Sequence, residues 1–151
     1  MNTNDTISIL NDLIETTEDG KKGFAEAAQD ATKPELKAAF QKRAAECSDA
    51  AVELQSLVQS IGGKPATSGT IAGAAHRGWV KVKSAVSDSN VAVLEEVERG
   101  EDRAKAVFAK ALKSEIPPPI RNVVQRQYEG VIKNHDRMRD LRNNYRASAS
   151  M

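Results

Sequence analysis

Apolar residues recur along this chain in alternating steps of three and four on four separate stretches. The first stripe runs Leu10, Leu13, Thr17, Gly20, Phe24, Ala27, Ala31; the second Leu36, Phe40, Ala44, Cys47, Ala51, Leu54, Val58, Ile61. The third runs Leu94, Val97, Glu101, Ala104, Phe108, Ala111, and the fourth Ile120, Val124, Tyr128, Val131, His135, Met138, Tyr145. Such spacing puts each set on one face of a helix, and its near-heptad period suits left-handed bundle packing. Four long helices are predicted, with Leu10, Phe24, Phe40, Leu54, Leu94, Phe108, Val124 and Met138 buried.

Helix-breaking residues separate the stripes. Ala31-Thr32-Lys33-Pro34 predicts a turn in which Thr32 caps a helix opening near Pro34. Gly62-Gly63-Lys64-Pro65 begins a longer break, and Ile116-Pro117-Pro118-Pro119 ends one helix and opens the next. Asp5 or Thr6 is the expected cap of the first helix, and Ser87 or Asp88 of the third. A weaker segment from Thr70 to Val86, interrupted by Gly73 and Gly78, is expected to form a short crossover helix. Connections that run short, long, short match an all-α, ferritin-like four-helix bundle of two hairpins joined by one crossover. The stripe Leu10, Leu13, Thr17, Gly20, Phe24, Ala27 also reappears 84 residues on as Leu94, Val97, Glu101, Ala104, Phe108, Ala111. Two related hairpins would produce such a repeat.

Composition narrows the function classes. The 151 residues are expected to form a single domain with an ordered core over about 5–145, large enough to fold without a metal or disulfide. With 22 Lys+Arg against 21 Asp+Glu, there is no cation excess for nucleic-acid binding through bulk electrostatics. No run is long and apolar enough for a membrane span, and the first residues lack the pattern of a secretory signal, so a cytoplasmic location is expected. The one cysteine, Cys47, falls on the second stripe and reads as a small core residue rather than a nucleophile.

Several longer segments carry a resemblance. GFAEAAQDATKPELKAAFQKRAAECSDAAVELQSLVQSIGGKP is similar to the first hairpin of rubrerythrin-type domains. SGTIAGAAHRGWVKVKSAV, LEEVERGEDRAKAVFAKAL and IPPPIRNVVQRQYEGVIKNHDRMRDLR resemble a bacterial family of conserved hypothetical four-helix-bundle proteins of unknown function. That family lies in the ferritin-like superfamily with the rubrerythrins and bacterioferritins. The resemblance extends over about residues 5–145 and implies a bacterial cytoplasmic setting, with a loose link to stress. It implies no assigned reaction.

Ferritin-like di-iron centres take one Glu from each of two helices and Glu-x-x-His from each of the other two. Carried onto this chain, the pattern fails at two points. Thr17 stands seven residues before Phe24, where the resemblance implies a carboxylate, and Ile132 stands three before His135, where it implies Glu. Glu101 precedes Phe108 by seven and fits; Glu46 and Asp49 offer a Glu-x-x-Asp on the second helix, with Asp49 off the stripe. The residual metal candidates are thus Glu101, His135, Glu46 and Asp49. Glu101 and His135 form a buried polar pair that fixes helix register, or a weakened metal site survives, or the stripe register is displaced and they face solvent. No metal, no cofactor and no catalytic residue is expected, with iron as the alternative cofactor.

Other features carry ordinary structural readings. Trp79, within His76-Arg77-Gly78-Trp79-Val80-Lys81-Val82-Lys83, is expected to close the open end of the bundle rather than bind a membrane surface. The run from Glu95 to Arg103 reads as a solvated acidic half-helix. Arg137, Arg139, Arg142 and Arg146 suit a helix C-terminus and could meet an acidic partner, and Ala147 to Met151 is expected to fray. The sequence therefore points to a non-enzymatic structural or interaction protein with a degenerate di-iron centre. The alternative is an iron-handling or oxidase-like protein with a reduced site. A homodimer is the expected association, and no protein partner is specified.

Overall fold

The computed structural model describes residues 2–69 and 89–149, which form four helices and, among these residues, no strand. They are α1 (Thr3–Asp30), α2 (Pro34–Ser60), α3 (Ser89–Leu112) and α4 (Pro118–Ala149). The expected crossover helix, with Trp79, and the Ser87 or Asp88 cap lie outside the described residues. Helix α4 continues to Ala149, through three of the small residues expected to fray.

The caps differ from the expected ones. Asn2, rather than Asp5 or Thr6, opens α1, its Oδ1 accepting from the Asp5 amide at 2.8 Å. Helix α2 begins at Pro34, a favoured first position because proline has no N–H to leave unpaired. Its N-cap is Lys33, which makes no side-chain bond. Thr32 turns instead to the start of α3: its amide donates to Asn90 Oδ1 at 3.0 Å, and Asn90 Nδ2 donates to its hydroxyl at 2.8 Å.

Helix α2 ends in a Schellman turn. Gly63 N–H donates to Val58 O at 2.9 Å and Gly62 N–H to Gln59 O at 3.0 Å, with Gly62 at φ 83°. The following strap lies along α1, where Asn11 Nδ2 donates to Lys64 O at 3.2 Å and Asn11 Oδ1 accepts from Ala66 N–H at 2.9 Å. The end of α2 therefore sits beside the start of α1, while the start of α3 sits beside the end of α1. The end of α2 and the start of α3 thus lie at opposite ends of α1, as the expected crossover requires.

Helix α1 packs against α2 and α3, and α3 against α4, whereas α2 and α4 meet only sparingly. The eight side chains expected in the core are all buried. They divide between two clusters. One gathers Leu10, Leu13, Leu54, Val58, Phe108 and Val124; the other gathers Phe24, Leu36, Phe40, Leu94, Val97 and Met138. Leu10 and Leu94, equivalent in the repeat, lie in different clusters, as two hairpins related by a half-turn require. Thr17, Glu101 and Asn134 are buried at the middle of their helices, along the stretches between the two clusters. The bundle thus has two apolar ends and a polar waist.

Candidate functional site

The waist is built around a guanidinium. Arg43 enters from α2 and Glu101 from α3, with Arg43 Nε 3.5 Å from Glu101 Oε1 and side-chain exposures of 13% and 4%. The contact is an ion pair without hydrogen-bond alignment, and Arg43 Nε, Glu101 Oε2 and Asn134 Nδ2 have no well-directed partner. Burial pushes the Glu101 carboxyl above its ordinary range, opposed by Arg43, the Asn134 amide and His135. Burial alone would weaken the Arg43 charge, but neighbouring Cys47, Glu101 and Glu46 strengthen it.

The neighbouring positions are unsuited to a pair of cations. Thr17 Oγ1 donates to Leu13 O of its own helix at 2.7 Å, so the hydroxyl is already committed. Ile132 supplies no ligand atom. Glu18, next to Thr17 on α1, is buried and pairs with Lys21 at 3.3 Å. Burial pushes the Cys47 thiol up to about 12, with Arg43 acting against the shift and Glu101, Glu46 and Glu18 adding to it. Such a thiol is not a nucleophile near neutral pH, in line with its reading as a core residue.

The four residual metal candidates do not converge. Glu101 and His135 are both buried, as their stripe positions indicated. Glu101 pairs with Arg43, however, and His135 turns to Asp102, with Nε2 and Oδ1 2.5 Å apart. Its other ring nitrogen, Nδ1, lies 3.2 Å from Asp136 Oδ1. Glu46 and Asp49 lie exposed on α2: Glu46 is 3.8 Å from Arg43, and Asp49 lines a shallow opening with Glu53, Arg126 and Gln127. Gln127 Nε2 donates to Glu53 Oε1 at 2.7 Å there, and Arg126 pairs with Glu53.

A different group does converge. Glu98, Asp102 and His135 each direct one ligand atom into a region where these atoms lie within 4.8 Å of one another. Glu98 and Asp102 are four residues apart and therefore share a face of α3, and His135 meets them from α4. Sequence reasoning passed over both acids because they fall within the run read as solvated. That reading holds only in part. Glu96 is buried and pairs with Arg99, Glu98 is largely buried against Arg142, and Arg146 Nη2 is 2.9 Å from Glu95 Oε1. The acidic partner expected for the arginines of α4 thus includes α3 of the same chain.

A family model matches residues 5–114 of this sequence. The chain belongs to the family described as Domain of unknown function (DUF2383). The DUF2383 match takes in α1, α2 and α3, with Arg43, Glu98, Glu101 and Asp102; Asn134 and His135 lie beyond it. No curated protein matches this DUF2383 chain.

Proposed function

We propose that this chain is a ferritin-like bundle without a di-metal centre, acting as a non-enzymatic structural or interaction protein in the bacterial cytoplasm, with a role in stress. The observation that carries the reading is Arg43. Its guanidinium supplies to Glu101, at the waist, the positive charge that a metal would supply in a di-iron bundle. Two further cations beside a fixed guanidinium would face mutual repulsion in a low-dielectric interior, where Glu101 is already paired with Arg43 and the buried Glu18 with Lys21. Thr17 and Ile132 add no anionic ligand to offset that charge. No helix among the described residues is long and apolar enough to cross a membrane. Val52, 58% exposed, is the large apolar side chain left open among them, so recognition of a partner through this surface would be chiefly polar.

The test is the metal content and ferroxidase activity of full-length protein purified after iron supplementation. The expected result is no pair of irons per chain and no iron-dependent oxygen consumption above buffer. Two irons per chain, lost on Glu101→Gln, would overturn the reading.

A further inference from the structure

We propose that Glu98, Asp102 and His135 bind a single first-row divalent cation at the edge of the α3–α4 seam, apart from the bundle waist. Three features support this. The ligand atoms converge from two helices to within 4.8 Å. Zinc-class bonds of about 2.0–2.2 Å place ligand atoms about 3–3.5 Å apart, so Glu98 must turn inward while Asp102, 2.5 Å from His135 Nε2, draws back by rotation of its exposed carboxylate. The charges match, because two carboxylates and a neutral imidazole cancel a divalent cation. One nitrogen with two oxygens is a donor set for zinc, manganese, iron(II) or cobalt rather than for calcium or magnesium.

The second sphere is also in place. Metal-bound imidazoles donate their other N–H to a carboxylate or carbonyl, which fixes the tautomer. Asp136 Oδ1 stands at His135 Nδ1, 3.2 Å away. With the ring proton on Nδ1, facing Asp136, the Nε2 lone pair is directed at the space beside Asp102 Oδ1, 2.5 Å away. A metal ion can occupy that space, and a ring proton on Nε2 donated to Asp102 is the competing outcome. Asp102 is 59% exposed, so the third ligand opens to solvent and gives the ion an entry path and room for water. Arg142 occupies Glu98 and must swing aside on loading. Its Nη2 also donates to Asn143 Oδ1, at 3.1 Å.

The experiment uses full-length protein stripped with chelator and titrated with Co²⁺, read by its visible absorption, and with Zn²⁺ by calorimetry. One ion per chain is expected. Asp102→Asn should weaken binding by about 10-fold or more, and His135→Ala should weaken it at least as much. Arg142→Gln should tighten it, since the competing cation is gone. His76→Ala, which removes the other histidine of the chain, should leave it unchanged. Absence of saturable 1:1 binding, or binding that Asp102→Asn and His135→Ala both leave intact, overturns the proposal in favour of a proton shared between His135 Nε2 and Asp102. Asp102→Asn changes an exposed side chain, so the test survives even if His135→Ala fails to fold. The stoichiometry separates this site from the waist, where the competing expectation is a pair of irons.

Discussion

Arg43 and Glu101 meet across the middle of the bundle from α2 and α3, two helices whose backbones do not come close, with Nε and Oε1 3.5 Å apart. Removing one member leaves the other charge buried and unpaired. Such single losses typically cost about 3–5 kcal/mol, whereas replacing both by apolar side chains of similar size is often neutral or stabilising by about 1–4 kcal/mol. Arg43→Met and Glu101→Leu should therefore each lower the denaturation midpoint clearly, and the double variant should recover most or all of the loss. Urea unfolding of the four proteins measures this. A double variant as unstable as the sum of the singles would mean that the two side chains act separately.

The turn after α2 gives a second expectation. A Cβ on Gly63 would stand 2.7 Å from Ile7 Cδ1 and 2.9 Å from Val58 Cγ1, closer than real contacts allow, while Gly62 sits at φ 83° with open space around it. Gly63→Ala forces core side chains to move and should cost about 1–3 kcal/mol, the usual range for overpacking. Gly62→Ala adds only left-handed backbone strain, of about 1 kcal/mol. Thermal melts should rank Gly63→Ala below Gly62→Ala. The reverse order would mean that the strap can lift from α1 at little cost.

The periodicity made the helical faces legible but not which side chains touch across them. Steps of three and four placed Glu101 and His135 on inward faces, and both are buried. They do not pair with each other, because one residue of offset turns a helix by about 100°. Asp102, next to Glu101, meets the His135 ring instead. Stripes fix each helix's inward side only to within such an angle, and the relative rotation of α3 and α4 decides the partner. The acidic run on α3 was misread for a related reason. Arg142 and Arg146, which draw Glu98 and Glu95 into pairs, lie 44 and 51 residues away in sequence and come alongside only after the second hairpin forms. Arg43 carried no periodic signal because a cation beside an apolar stripe ordinarily snorkels to water. At the waist it faces the carboxylate of Glu101, and that contact depends on α2 and α3 lying across from one another.

Cys47 tests the electrostatics of the waist from another direction. With its thiol pushed up to about 12, the thiolate fraction at pH 8 is small. Modification by a disulfide reagent should run roughly a thousandfold more slowly than for a free cysteine, from the thiolate fractions alone. Denaturant should restore the ordinary rate. Fast labelling of native protein would show that the α1–α2 contact over Cys47, where a Cβ on Gly20 would lie 3.4 Å from Sγ, opens readily.

Tyr145 and Glu35 pin the end of α4 to the start of α2, and their contact should appear as an alkaline limit to stability. Tyr145 Oη donates to Glu35 Oε1 at 2.7 Å. Desolvation first, and then the bond and the charge of Glu35, push the phenol up to about 12 from an unfolded value near 10. The fold therefore holds this proton more tightly than the unfolded chain does. The stabilisation is complete below pH 10 and is lost as pH rises through about 12. On the acid side the same bond lowers the Glu35 carboxyl, so its contribution is present above the unfolded carboxylate range and fades as pH falls through the lowered value. Absorbance titration of native protein at the phenolate band should show a late-ionising tyrosine. In Glu35→Gln that step should move to lower pH, because the charge that opposed phenolate formation is gone. The melting temperature of wild type should also fall more steeply than that of Glu35→Gln between pH 10 and 12. Identical titration curves for the two proteins would show that α4 leaves α2 free at this end.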